Sequence, residues 1–149
     1  MKGNPGRITH SDPLSFVWPV RVYWEDTDAG GVVYHARYLA FMERARSEWL
    51  RGLGLEQTLL RERDDRVFVV RAMDLDFRAP ARLDDQLSVS VALLECRGAS
   101  FTLAQRIERG DAVLVEAGVR IAAVRASDFR PCPIAKPLLE RLRSPMESS

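Results

Sequence analysis

Histidine and cysteine are scarce in this 149-residue chain, which contains two of each. The cysteines, Cys96 and Cys132, lie far apart and form neither a CxxC pair nor a zinc-binding spacing. Cys96 falls within an apolar strand pattern, which predicts a buried small hydrophobe. The histidines, His10 and His35, are also well separated, so the sequence predicts no transition-metal site.

The chain also lacks an excess of charge of one sign and any long apolar run. Its 22 basic and 21 acidic residues give a formal net charge of +1, which provides no general attraction to nucleic acid or to an anionic membrane. No stretch reaches the roughly 20 apolar residues that span a bilayer. Residues 1–14 lack the apolar core of a signal peptide, and they are expected to form a flexible lead-in to a cytoplasmic protein.

Common catalytic and nucleotide-binding signatures are missing as well. The sequence has no G-x-S-x-G elbow, no G-x-G-x-x-G and no P-loop. No serine or cysteine is placed convincingly beside His35 as a nucleophile. These absences argue against a serine hydrolase, a dinucleotide-binding enzyme and a P-loop nucleotide hydrolase.

One long helical pattern and five strand patterns are present. Apolar residues recur at helical spacing from about Tyr34 to Leu53, and Gly52 and Gly54 supply the stop signal. Apolar or alternating runs predict strands over 16–24, 67–77, 87–93, 101–107 and 113–121. The short turns between the last four strands require antiparallel neighbours. An α+β fold is therefore predicted, in which one helix covers one face of a curled antiparallel sheet.

A single domain is expected to span residues 15–130. Three prolines follow it, and they break any regular structure before a short basic segment that is predicted to be helical. Residues 131–149 are therefore predicted to be a Pro-rich and basic C-terminal tail.

The segment between the first strand and the helix carries the candidate site. Three acids end the strand-like run, two glycines turn the chain, and Tyr34 and His35 begin the helix. Asp28 is thus expected to face the N-terminus of the helix, where unpaired peptide N–H groups point outward. A carboxylate facing such donors can attack a carbonyl whose oxygen they hold, or deprotonate the water that attacks it.

Calcium binding and helix capping are two other interpretations of this segment. Asp26-x-Asp28 followed by Gly31 resembles the start of an EF-hand loop, but Gly30 and Arg37 occupy positions that need oxygen ligands. Asp28 is also a common type of turn or helix-capping residue. The glycines favour catalysis, because they let the backbone approach a ligand closely. From the residues alone, both the capping and the catalytic interpretation remain open.

The segment RVYWEDTDAGGVVYHARY (residues 21–38) resembles the active-site signature of the 4-hydroxybenzoyl-CoA thioesterase family, most closely its Tol-Pal-associated type. The resemblance continues through FMERAR, APARLDD and RGAS and covers about residues 16–125. It implies a hotdog fold, an antiparallel five-stranded sheet wrapped around one long helix. It also implies a homodimer, often a dimer of dimers (a homotetramer), with active sites at the interface.

The resemblance further implies hydrolysis of acyl-CoA thioesters without a metal or cofactor. The family's catalytic aspartate falls on Asp28, and the peptide N–H that polarises the thioester carbonyl falls on His35. Asp28 acts either as a nucleophile, through a mixed anhydride, or as a general base on water.

Further residues are expected to contact the substrate. The turn and the start of the helix contribute Gly30, Gly31, Val32, Val33 and Tyr34. Val69 and Val70 are expected to line the acyl pocket. Arg78 is a candidate ligand for the CoA phosphates, as are Arg82 and Arg37, because a guanidinium fits a phosphate well.

The sequence leaves two alternative functions open. A non-hydrolytic module could bind acyl-CoA or acyl carrier protein, although an intact Asp28 argues against it. A hotdog dehydratase or hydratase is the other alternative, although the sequence lacks the pattern of paired histidine and acid. The expected partners are acyl-CoA, acyl carrier protein and further copies of the chain.

Overall fold

A computed structural model describes residues 15–143, and the predicted lead-in over 1–14 lies outside them. The strands are β1 (Ser15–Arg21), β2 (Arg66–Phe77), β3 (Gln86–Arg97), β4 (Ser100–Arg109) and β5 (Ala112–Arg125). The helices are α1 (His35–Gly52), α2 (Gln57–Asp64) and α3 (Lys136–Arg143), and a single 3₁₀ turn (Trp24–Asp26) lies between β1 and α1.

The five strands form one sheet in the order β1-β3-β4-β5-β2, and every neighbouring pair is antiparallel. The β3-β4-β5 part of this order follows from the short β3–β4 and β4–β5 turns, which make sequential strands neighbours. The first two strands are separated by α1 and occupy the two edges of the sheet. The predicted α+β class and hotdog arrangement, with its five-stranded antiparallel sheet, are confirmed.

One face of α1 is buried against the sheet. Its buried residues are Tyr38, Phe41, Met42, Ala45, Trp49 and Leu50. Trp49 reaches Phe101 of β4, with ring centroids 6.2 Å apart. Each large apolar side chain buried in this way contributes about 1.5–3 kcal/mol to folding. The helix is therefore anchored along its length, which fixes the position of its N-terminus.

Three predicted strand ends miss by three or four residues, and one of them is that of β5, which ends at Arg125 rather than at residue 121. The first strand ends at Arg21 rather than Trp24, and Trp24 is 77% exposed in the 3₁₀ turn. The third strand continues past Leu93 to Arg97 through a bulge between Leu93 and Glu95. A bulge shifts which residues face inward, so the period-2 alternation breaks there. Beyond the bulge, Cys96 is buried as predicted, and burial raises the pKa of its thiol.

Residues 131–143 pack against the rest of the domain. Ile134 and Leu142 are buried within the main core. Arg141 donates to the carbonyl of Leu53 at 2.9 Å, and Arg143 donates to the carbonyl of Cys96 at 2.7 Å. No helix within residues 15–143 is long and apolar enough to cross a membrane.

Candidate active site

A cavity of about 340 Å³ opens between the start of α1 and the end of β2. Six of the predicted site residues line it together: Asp28, Val32, Val33, Tyr34, His35 and Arg78. Four more lining residues were not predicted: Tyr38, Phe77, Ala79 and Pro80. The spacing of the acids and glycines indicated one wall of this cavity, and the β2–β3 connection supplies the other.

Asp28 is exposed at the cavity, and its own loop holds it in place. Its Oδ1 accepts the N–H of Gly30 at 2.8 Å and that of Val32 at 3.4 Å. Its backbone N–H donates to the carbonyl of Val32 at 2.9 Å. All the side-chain bonds of Asp28 among the described residues go to Oδ1, so Oδ2 is open to a substrate or water.

The two glycines of the turn meet different requirements. A Cβ on Gly30 would lie 3.3 Å from Oδ1 of Asp28. At that distance the carboxylate would have to move slightly. Gly31 has a φ of +80°, a left-handed conformation that other residues adopt at a cost. Both glycines therefore shape the Asp28 loop, but neither lines the cavity.

The chain after the turn is fixed to the β2–β3 connection. Val33 donates its N–H to the carbonyl of Ala81 at 2.9 Å, and Val32 forms an isolated antiparallel bridge with Arg82. Leu83 donates its N–H to the carbonyl of Gly31 at 3.3 Å. These bonds set the distance between the two walls of the cavity.

Arg37 ties the first turn of α1 to the acidic loop. Its Nε donates to Oδ1 of Asp26 at 2.6 Å, and its Nη2 donates to Oε2 of Glu25 at 2.9 Å. Asp26 is only 4% exposed, and its Oδ2 accepts the N–H of Tyr23 at 2.9 Å. The hydrogen bond that Arg37 donates to Asp26 is the largest cause that raises the pKa of Arg37. This guanidinium therefore holds the loop that carries Asp28.

The N-terminus of α1 borders the cavity at His35. Its N-cap residue, Tyr34, has φ −82° and ψ 156°, and no described side chain caps the helix. The first N–H groups of a helix have no partner within it, and they carry the positive end of its dipole. The imidazole of His35 packs on the ring of Phe77, with centroids 4.7 Å apart. The side chain of His35 thus has a packing role, while its peptide group lies at the helix terminus.

Tyr38 joins the helix to the opposite wall of the cavity. Its side chain is buried, and its hydroxyl accepts the N–H of Ala81 at 2.9 Å. Its ring also lies beside Phe77, with centroids 5.7 Å apart. Burial raises the pKa of the Tyr38 hydroxyl, so it remains protonated at neutral pH. The helical spacing marked Tyr38 only as a core position, because its bond to Ala81 joins distant parts of the chain.

Arg78 lines the cavity while bridging two carboxylates. Its Nε lies 3.0 Å from Oδ2 of Asp76, and its Nη2 lies 3.0 Å from Oε1 of Glu116. The hydrogen bond to Asp76 is the largest cause that raises the pKa of Arg78. Arg82 is exposed nearby, where its N–H donates to Asp85 at 2.8 Å.

Val69 and Val70 do not share the cavity of Asp28 within one chain. They line a second cavity of about 300 Å³ between α1, α2 and β2. It is also lined by Glu43, Arg46, Trp49 and Phe68. The two cavities lie towards opposite ends of β2, since Val69 is near its start and Phe77 is its last residue.

A family model described as the thioesterase-like superfamily matches residues 22–142. The acyl-CoA thioesterase YbgC of Haemophilus influenzae is 46% identical over 121 residues, which cover 81% of this chain and 89% of that protein. The acyl-CoA thioester hydrolase YbgC of Escherichia coli O157:H7 is 45% identical over 130 residues, which cover 86% of this chain and 96% of that protein.

A solved structure shows the same fold. The crystal structure of a probable thioesterase from Bartonella henselae superposes with a TM-score of 0.77 at 40% sequence identity. The superposition covers 81% of this chain and 99% of that one.

Proposed function

Because this chain belongs to the thioesterase-like superfamily, we propose that it is an acyl-CoA thioesterase that hydrolyses the thioester to a free acid and CoA. One observation carries this proposal beyond the family likeness. The carboxylate of Asp28 and the start of α1 at His35 line the same cavity. A nucleophile or base and a set of N–H donors are the two components that hydrolysis of a thioester needs.

In this mechanism the thioester oxygen lies against the peptide N–H of His35. The helix dipole stabilises the negative charge that develops on that oxygen when the carbonyl carbon is attacked. Asp28 either attacks the carbon through Oδ2, giving a mixed anhydride that water then hydrolyses, or removes a proton from the attacking water. In both routes the C–S bond breaks and CoA leaves as a thiolate. Because a thiolate is a good leaving group, no strong general acid is required.

The loop is well suited to this role because it is ordered by its own bonds. The N–H of Gly30 already holds Oδ1 of Asp28, and Arg37 already fixes Asp26. Groups that are in place before the substrate binds do not lose freedom during the reaction, which lowers the barrier. Arg78 lies at the same cavity and is proposed to contact the CoA part of the substrate.

A thiol-release assay with short, long, branched and aromatic acyl-CoAs tests the activity. We expect hydrolysis of several of these esters, with the acyl preference set by the pocket. Saturable binding of acyl-CoA without thiol release across the panel would instead indicate a non-hydrolytic binding module. Water addition to an enoyl-CoA, with the thioester intact, would indicate a hydratase.

We further propose that the active form is a homodimer paired through β2. This edge strand is 12 residues long, and it exposes Val70 by 46% and Phe77 by 42%. The other edge, β1, has 7 residues and contains Pro19, which disfavours pairing. Antiparallel pairing of two copies of β2 gives partners to the unpaired backbone N–H and C=O groups of this edge. It also covers the exposed apolar residues.

Replacing Val70 with lysine tests this interface. A charge on the edge of a sheet opposes pairing, so we expect Val70→Lys to shift the protein to a monomer and to lower its activity. Leu94→Lys is the matched control, because Leu94 is also 46% exposed but lies at the bulge of β3. Light scattering during gel filtration measures the mass against the 16.9 kDa protomer. It also separates a dimer from the dimer of dimers, and a monomeric unsubstituted protein would contradict the proposal.

Three further expectations from the family resemblance belong to this proposal. Acyl carrier protein is a second acyl donor, the protein is located in the cytoplasm, and its activity is linked to the Tol-Pal system. The same assay with an acylated carrier protein in place of acyl-CoA tests the first of them.

A further inference from the structure

A cationic side chain, that of Arg46, lies in the wall of the second cavity, and a buried residue fixes its position. Arg46 of α1 lines this cavity with the apolar Trp49, Phe68 and Val69. Its Nη1 donates to Oε1 of Gln105 at 2.9 Å. Gln105 is fully buried, and its own Nε2 donates to the carbonyl of Met42 at 3.2 Å. The amide of Gln105 therefore fixes the position of the Arg46 guanidinium.

This guanidinium has no carboxylate within ion-pairing distance among residues 15–143. Glu43, one turn earlier on α1, acts on it only as a nearby charge. Burial lowers the pKa of Arg46, and this effect exceeds the opposing effect of Glu43. A partly desolvated guanidinium with free N–H groups is a strong site for a carboxylate, which it can bind through two parallel hydrogen bonds.

When two copies pair through β2, the Arg46 cavity of one copy comes next to the Asp28 cavity of the other. In an antiparallel pair of identical strands, the start of one strand lies beside the end of the other. The Val69 end of β2 in one copy thus lies beside the Phe77 end in its partner. A two-fold axis perpendicular to the sheet also keeps α1 of both copies on the same face. In that arrangement the two cavities would adjoin across the dimer interface.

We propose that the partner's Arg46 binds the far end of the acyl group whose thioester lies at Asp28, and that the enzyme thereby selects acyl groups ending in a carboxylate. The substrate class is the mono-CoA thioester of a short dicarboxylic acid. The valines and Trp49 contact the methylene chain, and the guanidinium contacts the terminal carboxylate. This inference rests on the proposed hydrolysis and on the proposed β2 dimer.

The test compares glutaryl-CoA with hexanoyl-CoA, which has a similar length but no terminal charge. The unsubstituted enzyme is expected to prefer glutaryl-CoA. Arg46→Met is expected to reduce kcat/KM for glutaryl-CoA by about 10- to 100-fold, the range for loss of a charged hydrogen bond. Turnover of hexanoyl-CoA is expected to change much less, so the ratio of kcat/KM for glutaryl-CoA to that for hexanoyl-CoA falls. Arg44→Met is the matched control, because Arg44 is exposed on the same helix, and it should not alter the ratio between the two substrates.

Arg46→Met leaves the buried amide of Gln105 without its donor, so a loss of folding must be separated from a loss of selectivity. The double variant Arg46→Met/Gln105→Leu removes both partners, which costs less stability than removing one. It should show the same substrate ratio as Arg46→Met, and Arg46→Lys should partly restore glutaryl-CoA turnover. Equal losses for both substrates, or a preference of the unsubstituted enzyme for hexanoyl-CoA, would overturn the inference. Failure to release thiol from any ester would instead contradict the proposed hydrolysis.

Discussion

Asp28→Asn is expected to reduce acyl-CoA hydrolysis by at least about 10³-fold, since an amide is neither a nucleophile nor a base at neutral pH. The loss should fall on kcat, because the rest of the cavity still binds the substrate. Stopped-flow and steady-state thiol release, with the best ester from the acyl panel, measure the effect.

The fold is expected to survive this substitution. The carbonyl oxygen of asparagine can accept the Gly30 and Val32 N–H groups that Oδ1 of Asp28 accepts now. Circular dichroism and the midpoint of thermal unfolding should therefore be close to those of the unsubstituted protein. Asp111→Asn is the control, because Asp111 is an exposed carboxylate at the β4–β5 turn that does not line the cavity. Near-normal turnover by a folded Asp28→Asn protein would rule out the mechanism.

His35→Pro is expected to reduce kcat by about 10²–10³-fold, the usual cost of removing one oxyanion donor. Proline has no N–H, so the change removes the proposed donor and leaves the cavity in place. The position tolerates it well, because His35 is the first residue of α1 and proline is favoured at that position. Tyr34, which precedes it, already has the extended conformation that a residue before proline adopts.

His35→Ala is the matched control for this prediction. Alanine keeps the peptide N–H and removes only the imidazole that packs on Phe77. We expect His35→Ala to retain most of its activity, while His35→Pro loses it and both keep a helical circular dichroism spectrum. An equal loss of activity in both variants would indicate that the imidazole, rather than the backbone N–H, stabilises the thioester oxygen.

The elements of the fold could be predicted because their patterns are local. Helical spacing from Tyr38 to Leu53 and alternation from Leu87 to Leu93 determined α1 and most of β3. The predicted end of β3 is wrong because a β-bulge interrupts the alternation of inward- and outward-facing residues. The bulge after Leu93 turns Leu94 outward and Cys96 inward, and no residue type in this run identifies it in advance.

The candidate site was predictable on one wall for the same reason. Asp28 and the start of α1 are neighbours in sequence, and two glycines mark the turn between them. The opposite wall comes from Phe77, Ala79 and Pro80, more than 40 residues later. Its position depends on how β2 pairs with β5, which the alternation of a single strand does not specify.

The acidic loop has a consequence for the release of product. Arg37 balances only one of the two carboxylates that it bonds, Glu25 and Asp26, and Asp28 adds a further negative charge. The substrate carbonyl is uncharged when it arrives, whereas hydrolysis converts it to a carboxylate at the same position. Like charges that lie close together repel each other. Under the proposed mechanism, the loop that carries Asp28 would therefore also favour release of the acid, and the free acid should be a weak inhibitor.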